Sequence, residues 1–482
     1  MINPVQYLYF HAGAHSTDTA LQGPSTHVDF AHLLRLVRAA ATRLRLRGVG
    51  PGATVLTMLG DKHADFILTL AAMHEGAATA SCVQHSEYPL ELEPTLVVAD
   101  RAVRCAAPCL TIDTAWLNDA LHADDPTPPR AFDDASAPFR LAFTSGTTGG
   151  SKVLAHTLRV MRSAALDPLL APPAPRSINM MSFASPWGLR DALTALMRGE
   201  PLLHAADPAD VAALARSADV RFISGSTFQL VALAQAVQRT AQRVPSLRGI
   251  RISGSLPNAQ QLTLLRSTLC PSVECRYGMS ETGPASAYLT HDPAAGEGCV
   301  GRLLPGAKVE IIDDSGRVLP RGQEGRVRVR TAYMTDAYLR NPEASLHAFA
   351  DGWFYPGDLG AFDDHGMLML RGRVSEVIDR GGLRIDPSRI DAVALACPGV
   401  LDAGSFGFVS SDGHDSLGIA VVGNAGLDAN ALLRHIGATL GAALAPSHLI
   451  LVTSIPRNDM GKAQRAELRR LYAAALRDAI IA

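Results

Sequence analysis

The apolar triplet Leu141-Ala142-Phe143 runs without a break into Thr144-Ser145-Gly146-Thr147-Thr148-Gly149-Gly150-Ser151-Lys152. A strand that ends in so many small residues constrains the fold strongly. Glycines let backbone N–H groups come close to an anion, and hydroxyls add donors that tolerate several phosphate orientations. A lysine at the end adds a compact positive charge. The string is not a Walker A loop, because Lys152 follows Ser151 and precedes Val153 where Gly-Lys-Ser/Thr would be needed. Taken alone, it reads equally as a flexible turn or as a phosphate cradle.

The rest of the chain supplies the context. Asp29 to Arg47 carries apolar residues at helical spacing, and Gly48-Val49-Gly50-Pro51-Gly52 ends it. Thr54 to Leu59 then reads as a buried strand, and Ala64 to Glu75 as a helix stopped by Gly76. This alternation continues to about residue 270, which predicts an α/β layered architecture with a largely parallel sheet. From about residue 298 the pattern becomes short antiparallel strands, Lys308–Ile312 and Gly325–Arg330 among them, in a small β-barrel-like part. The last hundred or so residues read as a small α+β unit, with a strand at Gly418–Val422, a helix at Asp428–Leu440 and a basic helix at Gln464–Arg477. A chain of 482 residues is too long for one small core.

A net charge of -2 offers no basic excess to attract nucleic acid. Seven cysteines, an odd number without a CxxC pair, favour reduced thiols and a cytoplasmic setting. No apolar run reaches the roughly 18 residues of a membrane span, and the first residues lack the pattern of a signal peptide. The 16 histidines show no metal-binding spacing.

The loop of residues 143–152 resembles that of the adenylate-forming, AMP-binding superfamily: acyl-CoA synthetases, luciferases and nonribosomal adenylation domains. The usual Pro and Gly around the lysine are Ser151 and Val153 here. Five further segments resemble that family in the expected order. They are Ser253-Gly254-Ser255-Leu256-Pro257, Tyr277-Gly278-Met279-Ser280-Glu281-Thr282-Gly283, Asp351–Gly360, Gly372–Ile385 and Ile455–Lys462. The resemblance implies that Thr144, Ser145, Gly146, Thr147, Thr148, Gly149 and Lys152 hold phosphate. It implies that Gly254, Ser255, Tyr277, Gly278 and Met279 hold the adenine side of ATP, with the Tyr277 hydroxyl at the α-phosphate. Asp358 would accept from the ribose hydroxyls, Arg373 would reach ribose or phosphate, and Glu281 would hold Mg²⁺. Lys462, Glu281 and Ser280 are the candidate catalytic residues. Lys462 would bridge the substrate carboxylate and the α-phosphate. The resemblance also implies a large domain, residues 1–374, and a small mobile domain, residues 375–482, joined where Ser375 replaces the usual Asp or Lys.

The implied reaction activates a carboxylic acid as acyl-AMP with release of pyrophosphate. The acyl group then passes to the thiol of CoA or to the phosphopantetheine of a separate carrier protein. Ala184 stands where α-amino acid adenylation domains resemble one another in an Asp, so an α-amino acid is disfavoured; Asp191 substitutes only if the local register differs. Phe183, Trp187 and Phe228 read equally as lining for an acyl pocket or as core aromatics. Arg190 reads as a solvated surface residue in preference to a partner for a polar substrate tail, and His156 as structural. Gly413-His414-Asp415-Ser416-Leu417 looks superficially like a carrier-protein attachment site, but no four-helix carrier follows it. The alternative from another class is a degenerate nucleotide-binding scaffold, which loss of Lys462 or Glu281 would have favoured; both are present.

Overall fold

Side-chain caps set where the second and third helices begin. The Asp29 carboxylate accepts from the His32 N–H, and the helix Phe30–Arg45 follows. It turns Phe30, Leu33, Val37 and Leu44 into the core. Asp61 accepts from the N–H groups of His63 and Ala64 and starts the helix Lys62–His74, which ends at Gly76 with φ +76°. The computed structural model describes residues 3–481 apart from 83–87, 89, 120–125, 133–135, 145–151, 169, 171, 174, 291–297, 375–377, 381–382, 386, 410–414, 442–443 and 458–462.

Two large sheets organise the described residues. In the first, six strands run in the order Cys109–Thr111, Leu96–Ala99, Thr54–Met58, Ala78–Ser81, Pro138–Thr144 and Lys152–Thr157. All neighbours are parallel except the last pair, where Thr144 lies opposite Lys152. The central strands are buried along their whole length, as expected of a parallel sheet covered on both faces.

The second sheet begins with the parallel strands Ser177–Asn179, Phe222–Gly225, Gly249–Ser253 and Val273–Met279. It continues through the antiparallel strands Gly283–Leu289, Cys299–Leu303, Leu368–Arg373, Asp358–Phe362 and Gly325–Arg330. The antiparallel strands expected as a barrel-like part therefore run on from the parallel sheet in one hydrogen-bonded path. Lys308–Ile312 pairs with Gly325–Arg330, as the sequence pattern predicts.

A third, three-stranded sheet, Val400–Val409, Asp415–Gly423 and His448–Leu451, serves the last part of the chain. Ile390, Leu417, Ile419, Leu432 and Ile436 pack on one side of it, and Phe406, Ala420, Leu468 and Tyr472 on the other. The final helix spans Arg465–Ile481, longer than its basic stretch suggests. Ser416, part of the carrier-like string, is a strand residue opposite Phe408. All seven cysteines are free. No helix among the described residues is long and apolar enough to cross a membrane.

The turn between Val273–Met279 and Gly283–Leu289 is tightly packed. A Cβ at Gly278 would sit 2.5 Å from both the Gly283 carbonyl oxygen and the Pro284 Cα. We expect Gly278→Ala to cost about 1–3 kcal/mol through overpacking. It should lower the midpoint of a thermal melt and weaken ATP binding, because Tyr277 and Glu281 flank the distorted turn.

Candidate active site

One cleft of about 2800 Å³ gathers side chains from both large sheets and from the last part of the chain. The Asp358 carboxylate is buried in its wall. The Tyr277 hydroxyl donates to Asp358 Oδ2 at 2.6 Å, and Arg373 Nε donates to Oδ1 at 3.0 Å. Strand register produces this triad: Asp358 opens its strand directly opposite Arg373. Burial and the adjacent Asp358 charge push the Tyr277 hydroxyl well above its ordinary pKa, so it stays a donor. Gly254, Ser255, Gly278, Met279 and Ser280 line the same cleft. Gly254 takes φ +99°, a conformation that favours glycine, and the Ser255 carbonyl accepts from Thr227 Oγ1 at 2.5 Å.

Thr144 and Lys152 mark the two ends of the phosphate-loop string and both line the cleft. Between them, Ser145, Gly146, Thr147, Thr148 and Gly149 lie outside the described residues, as do Ser375 and Lys462. Lys152 Nζ stands 4.9 Å from the centre of the Tyr338 ring. The Tyr338 hydroxyl donates to Glu281 Oε1 at 3.0 Å. Burial raises the Glu281 pKa, and Tyr338, Arg373 and Lys152 oppose that rise.

Tyr338 was not legible as a site residue. It arrives because Leu154 bridges to it and the Leu339 N–H donates to the Val153 carbonyl at 2.7 Å. Among the described residues no group of three or more His, Cys, Asp or Glu could hold a metal ion. Glu281 alone fits Mg²⁺, which typically takes one or two carboxylates and completes its shell with phosphate oxygens and water.

The family model of AMP-binding enzymes matches residues 9–339. The chain belongs to this family. It is 34% identical over 244 residues to the probable CoA ligase CCL9 of Humulus lupulus, a match spanning 50% of this chain and 46% of that protein. It is 25% identical to the fatty acid–[acyl-carrier-protein] ligase MmaC of Mycobacterium marinum over 92% of each chain. Among solved structures, the O-succinylbenzoate coenzyme A synthetase of Bacillus subtilis in complex with AMP superposes with a TM-score of 0.82 at 21% identity. That superposition covers 96% of this chain and 97% of the other. ATP-bound MatB of Rhodopseudomonas palustris gives 0.83 at 23% identity, over 98% and 99%.

In this AMP-binding enzyme the candidate acid wall is the segment from Asn179 to Trp187. Trp187 and Phe228 line the cleft, and Phe228 is 61% exposed. Phe183 also borders the cleft, but its ring is buried in the core 5.8 Å from that of Phe66. Arg190 is not a solvated surface residue. It is buried, and its Nε and Nη2 donate to Asp191 Oδ1 at 3.1 and 2.8 Å. Asp191 also accepts from Asn179 Nδ2 at 2.7 Å. His156 is buried, as a structural reading requires, but neither ring nitrogen has a hydrogen-bond partner.

Two buried cations fasten this wall to the first sheet. Lys62 Nζ donates to the carbonyls of Asn179 and Met181, both at 2.7 Å, and lies over the Phe183 ring. Arg140 donates to the Phe183 carbonyl at 2.5 Å and to Ser81 Oγ at 2.8 Å. Neither cation was singled out from sequence, where an isolated Lys or Arg reads as solvated.

Desolvation lowers the Lys62 pKa from 10.5 to about 8. Between those values the unfolded chain binds the extra proton, so wild-type stability rises with pH. Lys62→Met removes this titration. Thermal melts from pH 7.5 to 9.5 should show the stability gap widening in favour of wild type as pH rises. Acid KM should also increase about tenfold in the variant, with a smaller change for ATP.

Proposed function

We propose that this enzyme uses ATP to convert a carboxylic acid into an acyl-adenylate, releases pyrophosphate, and then passes the acyl group to a thiol. The observation that carries this is one cleft with two differently built clusters. In one, Asp358 is held between Tyr277 and Arg373; in the other, Glu281 and Tyr338 stand beside Lys152. The first suits the hydroxyls of a ribose, the second a polyphosphate.

In the first step an oxygen of the substrate carboxylate attacks the α-phosphorus, and the bond to the pyrophosphate oxygen breaks. Two anions must approach, so fixed positive charge is needed at both. Lys152 and the backbone of the small-residue loop would serve the β- and γ-phosphates. Arg373 is ion-paired with Asp358, the carboxylate assigned to the ribose hydroxyls, and would reach the α-phosphate. Lys462 would bridge the attacking carboxylate and the α-phosphate, and Ser280 would add a hydroxyl donor at the turn. Mg²⁺, when held by Glu281, supplies Lewis-acid neutralisation of the phosphate oxygens. In the second step a thiolate sulfur attacks the acyl carbonyl and AMP leaves.

The same reading divides the chain into residues 1–374 and 375–482, with rotation near Ser375 removing Lys462 between steps. The acceptor is CoA or a carrier-bound phosphopantetheine; the two relatives named above represent one class each. The free thiols support a reducing, cytoplasmic setting. An α-amino acid fits poorly. Ala184 borders the cleft, and the Asp191 carboxylate is already engaged by Arg190 and Asn179.

Acid-dependent exchange of pyrophosphate into ATP tests the first step, and a panel in which no acid supports exchange would sink it. For Lys462→Ala we expect exchange to fall by at least about 100-fold. Thioester formation from supplied acyl-AMP should stay within a few-fold of wild type, measured by release of AMP.

A further inference from the structure

The cleft is bordered by two residues with buried polar groups that the reaction above does not use. His156 is 4% exposed, sits at the end of the strand Lys152–Thr157, and borders the cleft. Both of its ring nitrogens lack a hydrogen-bond partner. Trp187, in the first turn of the helix Pro186–Arg198, borders the same cleft, and its buried indole Nε1 also lacks a partner. The two residues belong to packed neighbours: the helix Leu158–Leu166, which directly follows His156, packs against the helix of Trp187. Arg140 stands opposite His156 on the neighbouring strand, and the apolar Val160, Met161 and Ala164 also border the cleft.

A buried donor or acceptor left without a partner is destabilising, and folds rarely retain one without a reason. Two on one cleft wall point to a ligand that completes them. Burial and the nearby Arg140 lower the His156 pKa to about 4, so the imidazole is neutral at physiological pH, with one donor and one acceptor. The Trp187 indole only donates. A hydroxyl or ketone oxygen satisfies the indole, and a hydroxyl also satisfies either ring nitrogen of His156. A plain alkyl chain satisfies neither. A second carboxylate fits less well, because the Nη atoms of the nearby Arg140 already donate to Thr79, Ser81 and the Phe183 carbonyl, and a neutral imidazole and an indole add no counter-charge.

We propose that this cleft selects acids whose acyl group carries a neutral oxygen, a hydroxyl or a ketone, recognised by His156 and Trp187. The proposal rests on the acid-activating function above, and its test separates the two. The probes are matched acids: hexanoate, 6-hydroxyhexanoate, 5-oxohexanoate and adipate, with phenylacetate and 4-hydroxyphenylacetate as the aryl pair. Each is measured by pyrophosphate exchange and, without turnover, by calorimetric binding to the full chain.

The hydroxy or keto member of at least one pair should be preferred about tenfold in both assays. His156→Phe and Trp187→Phe should each reduce that ratio toward one, with circular dichroism and melting temperature confirming a folded variant. Wild type needs no variant to decide the matter. Exchange or binding with equal or stronger response to the unsubstituted acids overturns the proposal and leaves acid activation standing. A preference for adipate over both neutral oxygen-bearing acids overturns it as well. Selective binding without exchange overturns acid activation and supports the oxygen-recognising site. No binding of any oxygen-bearing probe overturns the proposal.

Discussion

Lys62 and Arg140 are buried cations at the junction of the two large sheets, and the cleft depends on what they hold. Their partners are the backbone carbonyls of Asn179, Met181 and Phe183, which belong to the segment leading into the helix of Trp187. A buried cation without partners is severely unfavourable, so these bonds leave the segment little freedom. Arg140 lies on the strand that ends at Thr144, the first residue of the phosphate-loop string. The same strand therefore reaches the phosphate-loop string and grips the segment that leads into the helix of Trp187. Asp65 balances the charge nearby: it faces Arg140 and accepts from Thr57 and Ser81.

The nucleotide end is organised differently. Asp358, Tyr277 and Arg373 come from three strands of one sheet, and their geometry follows from antiparallel register. Glu281 sits on a tight turn four residues beyond Tyr277, and Tyr338 anchors it from another segment. The Tyr338 ring also faces Lys152, so one aromatic residue touches both an anion and a cation of the site. Preorganised charge of this kind is what a reaction between two anions requires, because little rearrangement is then needed as charge moves.

Much of this was legible from sequence. The glycine-rich string, the Tyr-Gly-Met-Ser-Glu run and the segment around Asp358 are short, contiguous patterns whose chemistry is local to the strand end or turn that carries them. The stop at Gly76 was likewise readable, since left-handed backbone at a helix end is a near-neighbour effect, whereas the Asp61 cap starts that helix at Lys62, two residues before its apolar pattern suggests. Arg190 was misread because polarity alone predicts exposure. Its burial depends on Asp191, the adjacent residue, and on the Leu170 carbonyl twenty positions away. For the aromatics, sequence left pocket and core equal, and packing divided them: Phe183 sits in the core, whereas Trp187 and Phe228 face the cleft.

By itself the sequence determined the family and the layered α/β architecture, and it named the candidate nucleotide-facing residues, because collinear motifs encode local backbone geometry and local chemistry. Tertiary structure alone decided that Tyr338 joins Glu281 to Lys152, that Lys62 and Arg140 clamp the segment from Asn179 to Phe183, and that His156 and Trp187 border one cleft with open hydrogen-bonding capacity. Those contacts join segments far apart in the chain. Whether a lysine, arginine or histidine is solvated or buried depends on what the fold packs against it, and no spacing within a single segment records that.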